Sequence, residues 1–274
     1  MLRGLFLPAM LALALQGQGT GPSYSAAGLV NGATYLPGPL APNTWATLYG
    51  TNLAWTTATA GPADMIGDQW PVKIPGAGVQ VLFAGGTPAH LSYVSPTQIN
   101  FLTPSSRSPG ATTLMVVRDG VVGPAIPVTF VEATPGLFNN NSMASAAHAD
   151  GSSVTDEAPA HPGEVVVLYG TGLGQTVVPL DSLSDGRLVS MNADAGGLRI
   201  QRFADLCVTF NESALDQERI LWAGLTPGFA GLYQINLQLP DSLDANPLIK
   251  VRIGDQVSAD GIKLAVQPRN DATP

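Results

Sequence analysis

Few residues in this chain have the type and spacing that chemistry requires. The three histidines, His90, His148 and His161, form no H-x-x-x-H or H-x-H pair, the spacings that present two imidazoles to one zinc ion. No G-x-S-x-G elbow is present to raise a serine as a nucleophile. Cys207 is the single cysteine, so it can build neither an internal disulfide nor a thiolate metal cluster. It falls in the run Leu206-Cys-Val-Thr-Phe210, where a small buried hydrophobe is the expected role. Gly170-Thr-Gly-Leu-Gly174 looks like part of a phosphate cradle, but a cradle needs a helix directly after it. Gln175-Thr-Val-Val-Pro179 follows instead, so a strand-ending turn is expected.

Carboxylates gather in two places: Asp150, Asp156, Glu157 and Glu164 near the middle, then Asp181, Asp185 and Asp194 in a long loop. Such oxygens can hold calcium, but no stretch has the spaced pattern of a calcium loop, and solvated side chains are the adopted reading. A glycosidase would need two carboxyls about 5–9.5 Å apart in a cleft. Asp64 with Asp68 is the pair to consider, and neither half of the chain repeats it at a strand end. The expectation is therefore no catalytic residue, no metal ligand and no cofactor. Trp55 and Trp70 remain as candidate ligand contacts, because flat rings on loops serve sugars or partner proteins. The competing expectation is that both fold back as a lid over a sheet edge.

The elements that would position these residues occur twice. Trp45-Ala-Thr-Leu-Tyr-Gly-Thr-Asn-Leu53 returns as Val165-Val-Val-Leu-Tyr-Gly-Thr-Gly-Leu173, and Thr97-Gln-Ile-Asn-Phe-Leu-Thr-Pro104 returns as Tyr233-Gln-Ile-Asn-Leu-Gln-Leu-Pro240. Val79, Val81 and Phe83 match Leu206, Val208 and Phe210, while Leu91 and Tyr93 match Ile220 and Trp222. His90 then matches Arg219, which suggests an outward polar position. Between the matched strands, the stretch from Gly224 to Tyr233 is seven residues longer than Ser95-Pro-Thr97. Apolar residues alternate at period 2, and turns recur about every 8–12 residues, which is the pattern of a β-sandwich. Arg118-Asp-Gly120 reads as a hairpin turn. Helical signals are sparse, with a turn or two expected over 141–149. The expected fold is all-β, two tandem immunoglobulin-like β-sandwich domains over 24–135 and 136–268.

The address reads as export. Arg3, an apolar run over 5–13 and the Ala12-Leu-Ala14 site resemble a signal peptide over 1–19, cleaved after residue 14 or 19. A leader rich in Gly, Ser and Pro follows over 17–25, and a short tail over 269–274 closes the chain. No later segment reaches the roughly 18 apolar residues of a membrane span. Net charge is −8, with no basic cluster denser than Arg199-Ile-Gln-Arg202. That balance excludes nucleic acid as a partner, since phosphate binding needs grouped Lys and Arg.

Leu29-Val-Asn-Gly-Ala-Thr-Tyr35, the two Leu-Tyr-Gly-Thr strands and Ala223-Gly-Leu-Thr-Pro-Gly-Phe-Ala-Gly-Leu-Tyr-Gln-Ile-Asn236 together resemble an uncharacterised tandem module. That module stands at the C-termini of secreted acidobacterial (Solibacter-type) proteins, and each half is similar to an IPT/TIG domain of cell-surface proteins. The resemblance covers about 28–268. It implies an exported sandwich pair and carries over no catalytic residue. The functional expectation is a non-enzymatic secreted or cell-surface interaction or adhesion module with a protein or polysaccharide partner. A carbohydrate-binding protein using Trp55 and Trp70 is the alternative, and a glycoside hydrolase comes last.

Overall fold

The computed structural model describes residues 21–268, so the expected signal over 1–19 and the tail over 269–274 lie outside it. The chain is all-β and forms two immunoglobulin-like sandwiches in tandem. In the first, Ser23–Asn31, Trp45–Thr51, Gln98–Leu102, His90–Val94 and Ala58–Thr59 lie side by side in that order. Facing them are Ile126–Phe130, Gly110–Arg118, Val79–Phe83 and Thr87–Pro88. The second sandwich sets Gly136–Leu137, Val165–Thr171, Tyr233–Gln238 and Ile220–Leu225 against Ser213–Ala214, Leu206–Phe210, Ile249–Ile253 and Gln256–Val257. No helix among the described residues is long and apolar enough to cross a membrane.

Alternation drives each sheet to bury one face. Val79, Val81 and Phe83 point inward, and so do their counterparts Leu206, Val208 and Phe210. In the first core Phe83 meets Phe101 at 6.3 Å and Phe130 at 5.5 Å, both edge to face, the arrangement that ring quadrupoles favour. The repeat extends to an irregularity. Pairing shifts between Leu91 and Tyr93 in one copy and between Ile220 and Trp222 in the other. On the outer face Gln98 Nε2 donates to Asn100 Oδ1 at 2.8 Å, and Gln234 Nε2 does the same to Asn236 Oδ1 at 2.9 Å.

Several local expectations need correction. The first strand begins at Ser23, inside the expected leader, because Tyr24 anchors it: its hydroxyl accepts from Val116 N–H and donates to the Pro124 carbonyl. Residues 141–149 form no helical turn; Asn139–Asn140 and Met143–Ala144 make a hairpin, and Ala146–His148 joins Val165–Thr171. Two short helices, Leu180–Leu183 and Ala195–Leu198, stand in the long loop, the latter capped by the Asp194 carboxylate on Gly197 N–H. A single turn leaves no 3.6-residue apolar period in a sequence. Cys207 is half-buried, because Leu206 and Val208 take the inward positions on either side of it.

The two sandwiches meet along a seam built from the second copy's extra residues. Trp45 N–H donates to Thr171 Oγ1 at 3.0 Å, and that hydroxyl donates onward to the Gly231 carbonyl at 2.9 Å. Trp45 Nε1 donates to the Ala230 carbonyl at 2.9 Å. Gly231 has φ +65°, and a Cβ there would lie 2.3 Å from Leu102 Cδ1, so a side chain would be strained and would displace Leu102. From the long loop, Gly186 accepts from Trp70 N–H at 2.9 Å, and Leu188 N–H donates to the Asp68 carbonyl at 2.8 Å.

Phe83→Ala should lower the unfolding free energy by about 3–5 kcal/mol, the usual cost of emptying a buried aromatic site. Urea denaturation followed by circular dichroism measures it, and an unchanged midpoint would mean the ring trio does not hold the first core.

Candidate functional site

The outer face of the first sandwich carries the site. Along Trp45–Thr51, Ala46 and Leu48 face the core, which turns Trp45, Thr47 and Tyr49 outward. Register sets Thr47 opposite Asn100. Trp70 closes over this face from the 54–78 loop, its ring centroid 5.9 Å from that of Trp45 at an interplanar angle of 86°. Beside the seam these residues border a cleft of about 300 Å³, with Tyr35 and Phe138 completing four aromatic walls.

Local structure holds each wall. Asn31 Oδ1 accepts from the N–H groups of Ala33 and Thr34, and the Asn31 carbonyl accepts from Tyr35 N–H, which winds the chain into a tight turn. Tyr35 ends that turn at φ 57° with its side chain 60% exposed. A left-handed conformation is uncommon for a bulky residue and stores backbone strain. Phe138 begins the second copy, its N–H bonded to the Tyr169 carbonyl.

Asn100 Oδ1 accepts from both Thr47 Oγ1, at 3.1 Å, and Gln98 Nε2. Its amide N–H groups then have no protein acceptor among the described residues, nor has the Trp70 indole N–H. None of the nine residues bordering the cleft is Asp, Glu, Lys, Arg or His. The arrangement can stack on flat apolar faces and donate to neutral oxygens, and it offers no charge to an ion. Its hydroxyls, on Tyr35, Thr47 and Ser92, have no carboxylate, imidazole or amine among the bordering residues to activate them.

The two tryptophans singled out from the sequence part company. Trp70 borders the cleft, whereas Trp55 sits at the 118–120 hairpin, 59% exposed. The Arg118 guanidinium covers one Trp55 face at 3.7 Å, and Trp55 Nε1 donates to Asp119 Oδ2 at 2.9 Å. This is a cation–π stack on the hairpin turn that Asp119 and Gly120 form with positive φ. Tyr35, Trp45 and Phe138 were missed. Trp45 was legible as an outward residue of its alternating strand; nothing local marks Phe138 as a neighbour of Tyr35.

Other expected positions resolve differently. His90 is buried at 5% exposure, a correction to its outward assignment, with Nδ1 2.7 Å from the Trp70 carbonyl. Leu91 faces the core, and His90 beside it is covered from outside by the Trp70 carbonyl and by Gly186, where a Cβ would lie 2.3 Å from the imidazole ring. Asp64 Oδ2 accepts from Gly61 N–H as a turn cap, while Asp68 lends only its carbonyl to the seam. Among the described residues no group of three or more His, Cys, Asp and Glu is placed to hold a metal ion. The glycine run after Tyr169 allows close backbone approach: a Cβ on Gly172 would lie 2.2 Å from the Thr134 carbonyl oxygen.

No known family model matches the chain, and no curated protein matches it. Among solved structures it is similar to the Bacteroides ovatus surface glycan-binding protein of a mixed-linkage glucan utilization locus, solved with a mixed-linkage heptasaccharide. That pair shares 12% identity over 84% of this chain and 43% of the other, with a TM-score of 0.30. A Prevotella bryantii surface glycan-binding protein gives 13% identity, 89% and 42% coverage and a TM-score of 0.26. The titin immunoglobulin tandem A164-A165 gives 7% identity, 84% and 91% coverage and a TM-score of 0.22. The chain spans about two fifths of the first two proteins. Similarity at this level carries no argument about the ligand, which must come from the cleft.

Outside the cleft, one ion pair is pH-sensitive. His148 Nδ1 contacts Glu164 Oε1, and this bond, more than burial opposes it, raises the His148 pKa above the ordinary histidine value. A raised folded-state value contributes stability that is complete below about pH 6.5 and is lost as pH climbs through the raised value. The urea midpoint should therefore fall as pH rises above about 6.5 in the native protein and fall less in His148→Gln. Parallel pH profiles for the two would show that the pair contributes nothing.

Proposed function

We propose that the chain is a non-enzymatic binding module that works outside the cell and takes a carbohydrate in the aromatic cleft. One observation carries the reading: four aromatic side chains and unpaired amide and indole donors converge on an opening with no charged residue. Pyranose rings have an apolar face that stacks on such side chains and hydroxyl groups that accept from such donors. An acidic sugar would find no counter-charge there. The signal-like sequence over 1–19 supports action beyond the cytoplasm, where polysaccharide is met.

The hydrolase reading loses its basis, because Asp64 caps a turn and no carboxylate borders the cleft. A protein partner in place of a glycan is the outcome to be distinguished. In affinity electrophoresis, the mature chain should be retarded by a neutral polysaccharide and not by a uronic acid polymer. Trp70→Ala should weaken retardation at least tenfold, about 1.4 kcal/mol, and Trp55→Ala should leave it unchanged. No retardation across a broad panel of polysaccharides, or loss through Trp55 alone, would overturn the proposal.

A further inference from the structure

We infer that the cleft is a composite site, assembled only when the second sandwich docks on the first, so that ligand binding and domain docking strengthen each other. Three of its four aromatic walls depend on residues beyond the junction. Trp45 is held at both its backbone and its indole, by Thr171 Oγ1 and by the Ala230 carbonyl. Trp70 is held through its backbone by Gly186, between Gln69 Nε2 on the Asp185 carbonyl at 2.7 Å and Leu188 N–H on the Asp68 carbonyl. Phe138 belongs to the second copy itself.

The 54–78 loop also has anchors on its own sandwich: Ala58–Thr59 pairs with Val94 and Tyr93, Leu91 N–H donates to the Pro71 carbonyl at 2.7 Å, and His90 Nδ1 lies 2.7 Å from the Trp70 carbonyl. Released from 185–188, Trp70 would keep these contacts but lose the Gly186 carbonyl on its N–H, which helps to set its ring edge-on to Trp45. Thr171 and Gly231 touch no part of the opening, yet they determine where Trp45 stands; they are positioning residues. A ligand that needs the docked arrangement must stabilise it, because anything bound to one state alone shifts the equilibrium toward that state.

The ligand half of this inference rests on the carbohydrate reading, and the positioning half does not. Both are tested with the mature chain. Gly231→Val drives a side chain into Leu102 and Trp45, and Thr171→Val removes one hydroxyl at nearly constant shape. The readouts are far-ultraviolet circular dichroism for the sheets, the near-ultraviolet circular dichroism that packed tryptophans such as Trp45 and Trp70 give, and retardation by the polysaccharide that binds the native protein. Gly231→Val should keep its sheets, lose the tryptophan signal and bind at least tenfold more weakly; Thr171→Val should shift all readouts in the same direction, less far.

A native tryptophan signal in folded Gly231→Val would overturn the inference, and so would native binding in a variant lacking that signal. If Gly231→Val fails to fold, Thr171→Val decides by the same two criteria. If the native chain binds no polysaccharide, the carbohydrate reading fails, while the tryptophan signal still judges whether the second sandwich sets the cleft.

Discussion

Among the contacts that join the two halves, one buried hydroxyl links three segments at once. Thr171 has no exposed surface, and a hydroxyl withdrawn from water must find partners or cost stability. Both of its partners come from elsewhere: Trp45 N–H from the first sandwich and the Gly231 carbonyl from the insertion in the second. The counterpart of Thr171 in the first copy is Thr51, at the same point of the Leu-Tyr-Gly-Thr strand, and it is exposed. The same residue closes a seam in one copy and meets solvent in the other, because only one copy has a neighbour there.

The duplicated chain has thereby divided its labour. The first copy leaves a cleft on its outer face, bordered by Trp45, Asn100 and the buried Thr47. The second copy covers its matching face: Trp222 Nε1 donates to the Ala195 carbonyl, and Arg199 bridges to Gly224. The long loop and the seven-residue insertion extend toward the first sandwich, and both end in seam contacts. Loop length drifted where the core did not constrain it, and here the drift produced an interface. The buried Tyr233 phenol, raised in pKa by burial, stays a neutral donor to the Gly174 carbonyl and secures the base of that insertion.

Legibility followed the range of the interaction. The strands, their inward residues and the hairpin at Asp119-Gly120 depend on neighbours two to four positions away, and they could be read directly. Cys207 could have been read as well, since its neighbours Leu206 and Val208 take the inward positions; residue type was given weight that period should have had. His90 could not, because its burial comes from Trp70 and Gly186, which lie outside its strand. Trp70 was marked as interesting by type alone, and its partner Trp45 was hidden in a regular strand.

What the sequence determined alone was two copies of a sandwich, each with its buried face, its turns and its matched outer row of Gln and Asn. Period-2 alternation and positive-φ turns are local constraints, and a repeat states them twice. Tertiary structure decided which aromatic side chains share a cleft, which tryptophan merely stacks on an arginine, and which threonine becomes a joint. Those choices depend on contacts between residues 25 to 126 positions apart, where loop length and docking geometry set distance and no local pattern records it.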